Sequence, residues 1–171
     1  MSDEQPVAFS PLDLAASEIE NYVGFKPVEE GEYMLAIDKM TCRRTNAGNP
    51  GMLVSFNLIT ENPEFNPGRI DDFFNLPYTD CKPKARKSFT DHLAGFRLCF
   101  GIGHNELTEL IQSAFQTMQE QGAPEVEIAD YQNVSGRVVL ELDPDRVEQD
   151  PSNKNYGKKY RARNRIGRYI I

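Results

Sequence analysis

The stretch YMLAIDKMTCRRTNAGNPGMLVSFNLI, residues 33–59, contains the pattern that decides the fold. Apolar side chains occupy every second position near both of its ends: Tyr33, Leu35 and Ile37, then Met52, Val54, Phe56 and Leu58. A period of two indicates β-strands with one buried face. Residues 45–51 between them are rich in Asn, Gly and Pro, which favour turns. The stretch therefore predicts a β-hairpin with basic residues near its tip.

After a third predicted strand at residues 69–76, the apolar period becomes helical. One helical face holds residues at spacings of four, three and four: Phe89, Leu93, Phe96 and Phe100. A second helix has Asn105 as its expected N-cap. Its predicted buried stripe consists of Leu107, Leu110, Ile111, Ala114, Phe115 and Met118. We expect residues 83–122 to form a helical insert, which Gly122 and Pro124 end.

Strand character returns after Gly136, and a polar turn over residues 143–157 precedes a last predicted strand over residues 158–170. The predicted order is β-β-β-α-α-β-β. A five-stranded OB-type barrel has this connectivity, with its helix between the third and fourth strands. We therefore predict a mostly β fold with a helical insert, in which an OB barrel over residues 31–171 follows an acidic N-terminal arm over residues 1–30.

Charge is distributed very unevenly along the chain. The 171 residues include 19 Lys and Arg and 26 Asp and Glu, which gives a formal net charge of −7. All 26 acids lie in residues 1–150, whereas residues 151–171 hold seven bases and no acid. Net acidity argues against binding of nucleic acid, because its phosphates repel a negatively charged protein. The acid-free segment reverses that argument, because it provides a local positive surface.

The composition indicates a cytoplasmic protein. No apolar run approaches the roughly 18–20 residues of a membrane-spanning helix, and residues 1–6 lack a basic leader followed by an apolar one. The three cysteines, Cys42, Cys81 and Cys99, are widely spaced, as is usual in a reducing compartment. We expect neither membrane association nor a disulfide framework.

Three arginines alternate in the last predicted strand, at positions 161, 163 and 165, so their side chains should share one face. Like charges in such a row repel each other and contribute nothing to packing. A nucleic-acid backbone, with its regularly spaced negative charge, is the partner that explains them best. The alternative is that the basic residues protect an edge strand from aggregation, a common use of lysine.

Aromatic residues interleaved with the bases offer stacking surfaces for unpaired nucleotides. For Phe74 in the third strand, the alternative is burial under the N-terminal arm or the second helix. In an OB barrel, the first hairpin and the connection between the fourth and fifth strands grip single strands. The predicted site consists of Lys39, Arg43, Arg44, Phe74, Tyr78, Tyr156, Lys158, Lys159, Arg161, Arg163 and Arg165.

Motifs for catalysis or metal binding are weak. Four candidate zinc ligands have spacings that match no common pattern: Cys81, His92, Cys99 and His104. Two acidic pairs, at residues 71–72 and 143–145, have no neighbouring Lys or His that would complete a nuclease site. We expect a protein that is not an enzyme and has no metal and no cofactor, with a metal-dependent nuclease as an alternative.

Short motifs give the chain a resemblance to a known group of proteins. They are GFKPVEEGEY at residues 24–33, RTNAGNP at residues 44–50, and Asn75 with Leu76 after the third strand. Over residues 9–169 the chain resembles an uncharacterised bacteriophage family encoded in replication and recombination modules. The resemblance implies an OB-fold, single-stranded-DNA-binding protein of the host cytoplasm. Many such binders end in an acidic tail, whereas this chain ends in a basic segment.

The leading hypothesis is a sequence-tolerant single-stranded-DNA-binding protein for phage DNA replication and recombination, with phage or host proteins of those processes as partners. The competing hypothesis is a protein-interaction module that docks an acidic partner with its basic C-terminal strand. Self-association is a neighbouring hypothesis, in which the acidic body of one copy attracts the basic segment of the next.

Overall fold

The computed structural model describes residues 25–62, 64–144 and 146–171. The strands are β1 Gly31–Arg44, β2 Pro50–Leu58, β3 Ile70–Asn75, β4 Glu125–Ile128, β5 Ser135–Asp143, β6 Arg146–Val147, β7 Lys159–Tyr160 and β8 Arg163–Tyr169. The helices α1 Pro83–Cys99 and α2 His104–Gln121 lie between β3 and β4. The expected series of three strands, two helices and a closing pair of strands is confirmed. Strands β4 and β6 were not predicted, because two to four residues are too few to show a period, whereas β7 lies within the last predicted strand, residues 158–170.

β1 is the long central strand of the barrel. It pairs with β2 along one edge; along the other edge, Gly31–Ala36 pair with β5 and Met40–Arg43 pair with β4. The antiparallel order is β3-β2-β1-β5-β8. β3 and β8, at the two ends of this order, contact each other. The sheet is therefore a nearly closed five-stranded barrel, which confirms the OB-type prediction.

The alternating residues of the first hairpin fill the barrel interior, as predicted. Leu35 and Ile37 point inward from β1, but a bulge between Ile37 and Lys39 shifts the register. After the bulge, the buried apolar positions of β1 become Met40 and Cys42, and Thr41 between them is buried as well. A bulge adds one residue to a strand, and it therefore changes which positions face the core.

The two helices cover the barrel with the apolar faces expected from their sequences. In α1, the Phe96 ring lies 6.1 Å from that of Phe56 and 5.1 Å from that of Phe74, measured between centroids. Leu107, Ala114 and Met118 of α2 are buried. The prediction of Asn105 as the N-cap of α2 is wrong: Gly103 caps the helix. The reason is that α2 begins almost directly after α1, following a left-handed turn at Gly101 (φ 66°).

A small polar junction fastens β8 to β3. The Tyr169 hydroxyl of β8 donates a hydrogen bond to Asp72 Oδ2 of β3 at 2.5 Å. His92 Nε2 of α1 lies 2.8 Å from the same oxygen, and its ring stacks on Phe74 with centroids 4.2 Å apart. The junction thus joins both ends of the sheet to the first helix.

Replacing Tyr169 with Phe tests this junction. Burial, and then the charge of Asp72, raise the pKa of the Tyr169 phenol. The unfolded chain releases the same proton near pH 10, so the native state keeps it to higher pH and the free energy of unfolding falls as pH rises above about 10. We expect Tyr169→Phe to lower the free energy of unfolding at pH 7 by about 1–3 kcal/mol and to make that alkaline decline smaller. Tyr131 and Cys42, whose pKa values burial raises to about 12, account for the decline that remains.

Urea unfolding between pH 7 and 10.5 measures both effects. The control is Tyr156→Phe, because Tyr156 is 62% exposed. Equal stabilities of wild type and Tyr169→Phe at pH 7 would contradict the role given to the junction.

Candidate nucleic-acid interface

The register of β5 with β8 places an acid opposite two of the three predicted arginines. Arg165 lies across from Glu141, and Arg163 lies across from Asp143. Arg165 Nε donates to Asp143 Oδ1 at 2.9 Å, and Arg165 Nη2 forms an ion pair with Glu141. The hydrogen bond with Asp143, and then the charge of Glu141, raise the pKa of the Arg165 guanidinium. Internal acids therefore account for Arg165 without an external partner.

Arg163 and Arg161 interact less with acids of the protein than Arg165 does. Arg163 Nε lies 4.0 Å from Asp143 Oδ2, at the limit of an ion pair. Arg161 lies between β7 and β8, so the expected unbroken strand over residues 158–170 is wrong. Arg161 and Arg163 nevertheless line the same groove, described below. Among residues 25–62, 64–144 and 146–171, no acid forms an ion pair with Arg161.

The connection between β5 and β8 contains a two-stranded ribbon. β6 pairs with β7, with Arg146 opposite Tyr160 and Val147 opposite Lys159. Arg146 Cζ lies 4.7 Å from the centroid of the Tyr160 ring, and Lys158 Nζ lies 5.2 Å from it. Cations above an aromatic face are attracted by the ring's quadrupole. The Tyr160 ring therefore positions two positive charges on the ribbon.

A groove of about 690 Å³ opens where this ribbon meets the barrel. It is lined by four cations, two aromatic rings and one carboxylate, with Pro144 and Ala162: Arg146, Lys159, Arg161, Arg163, Phe25, Tyr160 and Asp143. The carboxylate of Asp143 already accepts a hydrogen bond from Arg165. The groove, called the ribbon groove below, therefore keeps a positive charge beside apolar rings.

Phe25 reaches the ribbon groove because the chain before β1 is fixed to the barrel. Lys26 N–H donates to the Asn66 carbonyl oxygen at 2.7 Å. Asn164 of β8, which is only 7% exposed, accepts from Val28 N–H at 2.9 Å and donates to the Val28 carbonyl oxygen at 2.8 Å. Of the expected N-terminal arm, residues 25–30 thus lie against the barrel, while residues 1–24 are outside the described residues.

Sequence reasoning missed four charged or aromatic members of the groove: Asp143, Tyr160, Arg146 and Phe25. Arg146 belongs to a stretch assigned to a polar turn, and Phe25 belongs to a stretch assigned to the arm. A two-residue strand and a hydrogen-bonded extended segment leave no period in the sequence. No sequence signal pointed to either residue.

The basic residues of the first hairpin have contacts of their own. Arg43 Cζ lies 5.4 Å from the centroid of Phe73. Arg44 Nη1 donates to the Gly48 carbonyl oxygen at 2.9 Å, and this bond steadies the hairpin tip. Lys39 Nζ lies 4.0 Å from Glu127 Oε2 of β4. All three are accessible cations, but each is partly engaged within the protein.

The hairpin cations and the ribbon groove lie at opposite ends of β1. β5 pairs with the start of β1, where Gly31 faces Leu140, whereas Arg43 and Arg44 are at its end. At about 3.3 Å per residue, the twelve residues from Gly31 to Arg43 follow a path of roughly 40 Å along the strand. The structure does not bring these two sets into one pocket.

The three aromatic residues predicted to stack on bases have different environments. Phe74 is fully buried, so its assignment to the binding site is wrong. Burial was the alternative, but the rings that Phe74 contacts are His92 and Phe96 of the first helix, α1, whereas the second helix or the arm had been expected to cover it. Tyr78 is partly buried between β3 and α1, where its carbonyl oxygen accepts a hydrogen bond from Arg86. Tyr156 is 62% exposed in the turn of the ribbon. Tyr156 is thus the most accessible of the three rings.

Neither helix of the described residues is both long and apolar enough to cross a membrane. Within the same part of the chain, no group of three or more His, Cys, Asp or Glu side chains has an arrangement that would hold a metal ion. His92 and Asp72, which do meet, belong to the β3–β8 junction.

Comparison of the sequence with protein-family models gives no match, and comparison with curated proteins gives no significant match. The class of protein is therefore defined by its fold: a nearly closed OB-type barrel with a helical insert and a basic, aromatic groove at the β5–β8 connection.

Replacing Asn164 with Ala tests how the groove is built. The change leaves the buried N–H and carbonyl groups of Val28 without partners, which costs about 1–3 kcal/mol for each group. We expect the free energy of unfolding to fall by about 2–4 kcal/mol. The control Asn57→Ala removes an exposed amide of β2 and should change it by less than about 0.5 kcal/mol. Urea denaturation of both variants measures the difference, and equal effects would show that Asn164 does not hold this segment.

Proposed function

We propose that the protein binds single-stranded DNA in a sequence-tolerant manner, without catalysis, during phage DNA replication and recombination. The observation that supports this best is the ribbon groove, where four cations and two aromatic rings meet on an OB-type barrel. OB barrels bind oligonucleotides through the connection between their last two strands and through the first hairpin. Cations neutralise phosphates, and rings stack on any base, so neither requires a particular sequence.

The cations in and beside the groove differ in how fully they can neutralise phosphates. Lys159 and Arg161, which form no ion pair with any described acid, neutralise phosphates most fully. Arg146 and Lys158 hold their charges beside the Tyr160 ring and line the path of the backbone. Arg163 contributes in part, because its bond with Asp143 is long.

Exposed rings supply the contacts with bases. Tyr156 is 62% exposed and Phe25 is 44% exposed, so both can be reached from solvent. A stacked base contributes roughly 1–3 kcal/mol to binding. One ring at the turn of the ribbon and one in the groove give the strand two stacking positions beside its phosphate contacts.

The first hairpin provides a separate contact region. Arg43, supported by Phe73, and Arg44 lie at the far end of β1, with Lys39 before them and Tyr78 after β3. A DNA strand that follows the outer surface of β1 passes from the ribbon groove to these cations. The binding site is thus extended, and longer oligonucleotides bind more tightly than short ones.

The biological setting rests on the resemblance of residues 24–33 and 44–50 to the phage replication and recombination family. On that basis we propose that the protein acts in the cytoplasm of the host bacterium, with phage or host proteins that act on the same DNA. A protein-interaction module that docks an acidic partner would use the same cations. Titration of the protein and its variants with single-stranded DNA distinguishes the two functions.

The proposal is tested by removing cations that differ in their internal partners. Lys159→Ala combined with Arg161→Ala removes two charges that no described acid neutralises. We expect binding of single-stranded DNA to weaken on the order of tenfold at low salt, similarly for all sequences, and the slope of log affinity against log salt to become shallower by about 1.4. Fluorescence anisotropy titrations with labelled oligonucleotides measure both quantities.

Arg69→Ala combined with Lys87→Ala is the matched control. It also removes two exposed cations, but each is bonded to an acid of its own, Asp71 or Asp91, and neither lines the ribbon groove, so the affinity should change by less than about twofold. Thermal melting of each variant checks that the fold is intact. Equal losses in the two variants would refute the assignment of the groove, and a wild-type protein that binds no oligonucleotide would favour the acidic protein partner.

A further inference from the structure

The ring of Phe73 lies on the outer surface of the barrel. Its neighbour in β3, Phe74, is fully buried, and successive side chains of a strand point to opposite faces. Phe73 is only partly buried. Of the two adjacent rings of β3, one therefore belongs to the core and the other to the surface.

A glycine of the neighbouring strand makes room for this ring. Phe73 pairs with Leu53 of β2, and Gly51 is the next residue of β2 on the same face. A Cβ at Gly51 would overlap Cζ at the tip of the Phe73 ring and would lie only 3.0 Å from Cε1. The ring therefore extends across β2 and occupies the space above Gly51, which no other residue type would leave open.

A cation of the third neighbouring strand lies in the same row. Gly51 pairs with Arg43 of β1, and Arg43 Cζ is 5.4 Å from the centroid of the Phe73 ring. On its other side Arg43 pairs with Glu125 of β4. In the part of the chain that the structure describes, no acid forms an ion pair with Arg43. The row, called the Phe73 platform below, consists of Phe73, Gly51 and Arg43.

The chemistry of the Phe73 platform matches one nucleotide of a single strand. An unpaired base stacks on an aromatic ring, and a guanidinium beside that ring neutralises a phosphate. Phenylalanine has no hydrogen-bonding group, so its ring accepts any base. The bases of a duplex are stacked on each other and do not offer a free face.

We propose that Phe73 is a base-stacking residue for single-stranded DNA and that Gly51 is a positioning residue that lets the ring lie across β2. The inference rests on the proposed function. It gives the hairpin end of the binding site a base contact in addition to the phosphate contacts of Arg43 and Arg44. Bases are then contacted at both ends of β1, by Phe73 at one end and by Tyr156 and Phe25 at the other.

Three variants and one control test the Phe73 platform. Phe73→Leu keeps an apolar side chain but removes the aromatic face. Gly51→Ala adds a methyl group where the ring lies, and the third variant combines both changes. The control is Gly95→Ala of α1, which adds the same methyl group where the nearest atom is 3.9 Å away. Thermal melting of each variant checks that it folds.

Each protein is titrated by fluorescence anisotropy with two labelled single strands of about 20 nucleotides, longer than the ~16 that one OB fold occupies. One is oligo-deoxythymidine, and the other has the same backbone without bases. Phe73→Leu should bind oligo-deoxythymidine about tenfold more weakly and the abasic strand within about twofold of wild type. The slope of log affinity against log salt should not change, because no charge is removed.

Gly51→Ala should reproduce the loss for oligo-deoxythymidine, whereas Gly95→Ala should not. The double variant should bind no more weakly than Phe73→Leu, because the shorter leucine does not reach the added methyl group. A full additional loss in the double variant would overturn the positioning role of Gly51.

The outcomes separate this inference from the proposed function. If wild type binds oligo-deoxythymidine and Phe73→Leu binds it equally well, or loses affinity equally for both strands, the stacking role is overturned and the proposed function stands. A wild-type protein that binds neither strand overturns both.

Discussion

In the antiparallel pairing of β5 with β8, Leu140 faces Ile166 inside the barrel, while Glu141 faces Arg165 outside. This register also carries Asn164 to its bonds with Val28 and Tyr169 to its bond with Asp72. A slip of one residue would turn every side chain of β8 to the other face. Closure of the barrel, attachment of the chain before β1 and neutralisation of Arg165 therefore all depend on one strand pairing.

Fewer cations of the C-terminal segment are available to a ligand than its composition indicates. Residues 151–171 contain seven bases, yet the acids of β5 engage Arg165 and, at longer range, Arg163. The cations that remain for a ligand lie around the β6–β7 ribbon, where the Tyr160 ring supports two of them. The pairing of β5 with β8 thus determines which cations of the C-terminal segment are neutralised by acids of the protein. The cations that are not neutralised in this way lie in and around the ribbon groove.

The sequence predicted the barrel well because its core residues alternate locally. Leu35, Val54 and Phe56 follow a period that neighbouring positions alone reveal, and Phe96 follows the helical one. The site was predicted less well, because its members depend on distant partners. Asp143 meets Arg165 across 22 positions of the chain, and Phe74 could not be assigned to the core until α1 was seen to cover it. The bulge after Ile37 and the short ribbon strands likewise depend on pairing that no single stretch encodes.

The affinity of the wild-type protein for single-stranded DNA as a function of salt tests the central claim most directly. For an oligonucleotide too short to reach the first hairpin, four groove cations that each neutralise one phosphate predict a plot of log affinity against log salt with a slope of about −3, at ~0.7 per phosphate. Different sequences of equal length should give similar slopes, and duplex DNA should bind more weakly, because its bases are not free to stack. A flat salt response, or tighter binding of duplex, would contradict single-strand binding by the ribbon groove.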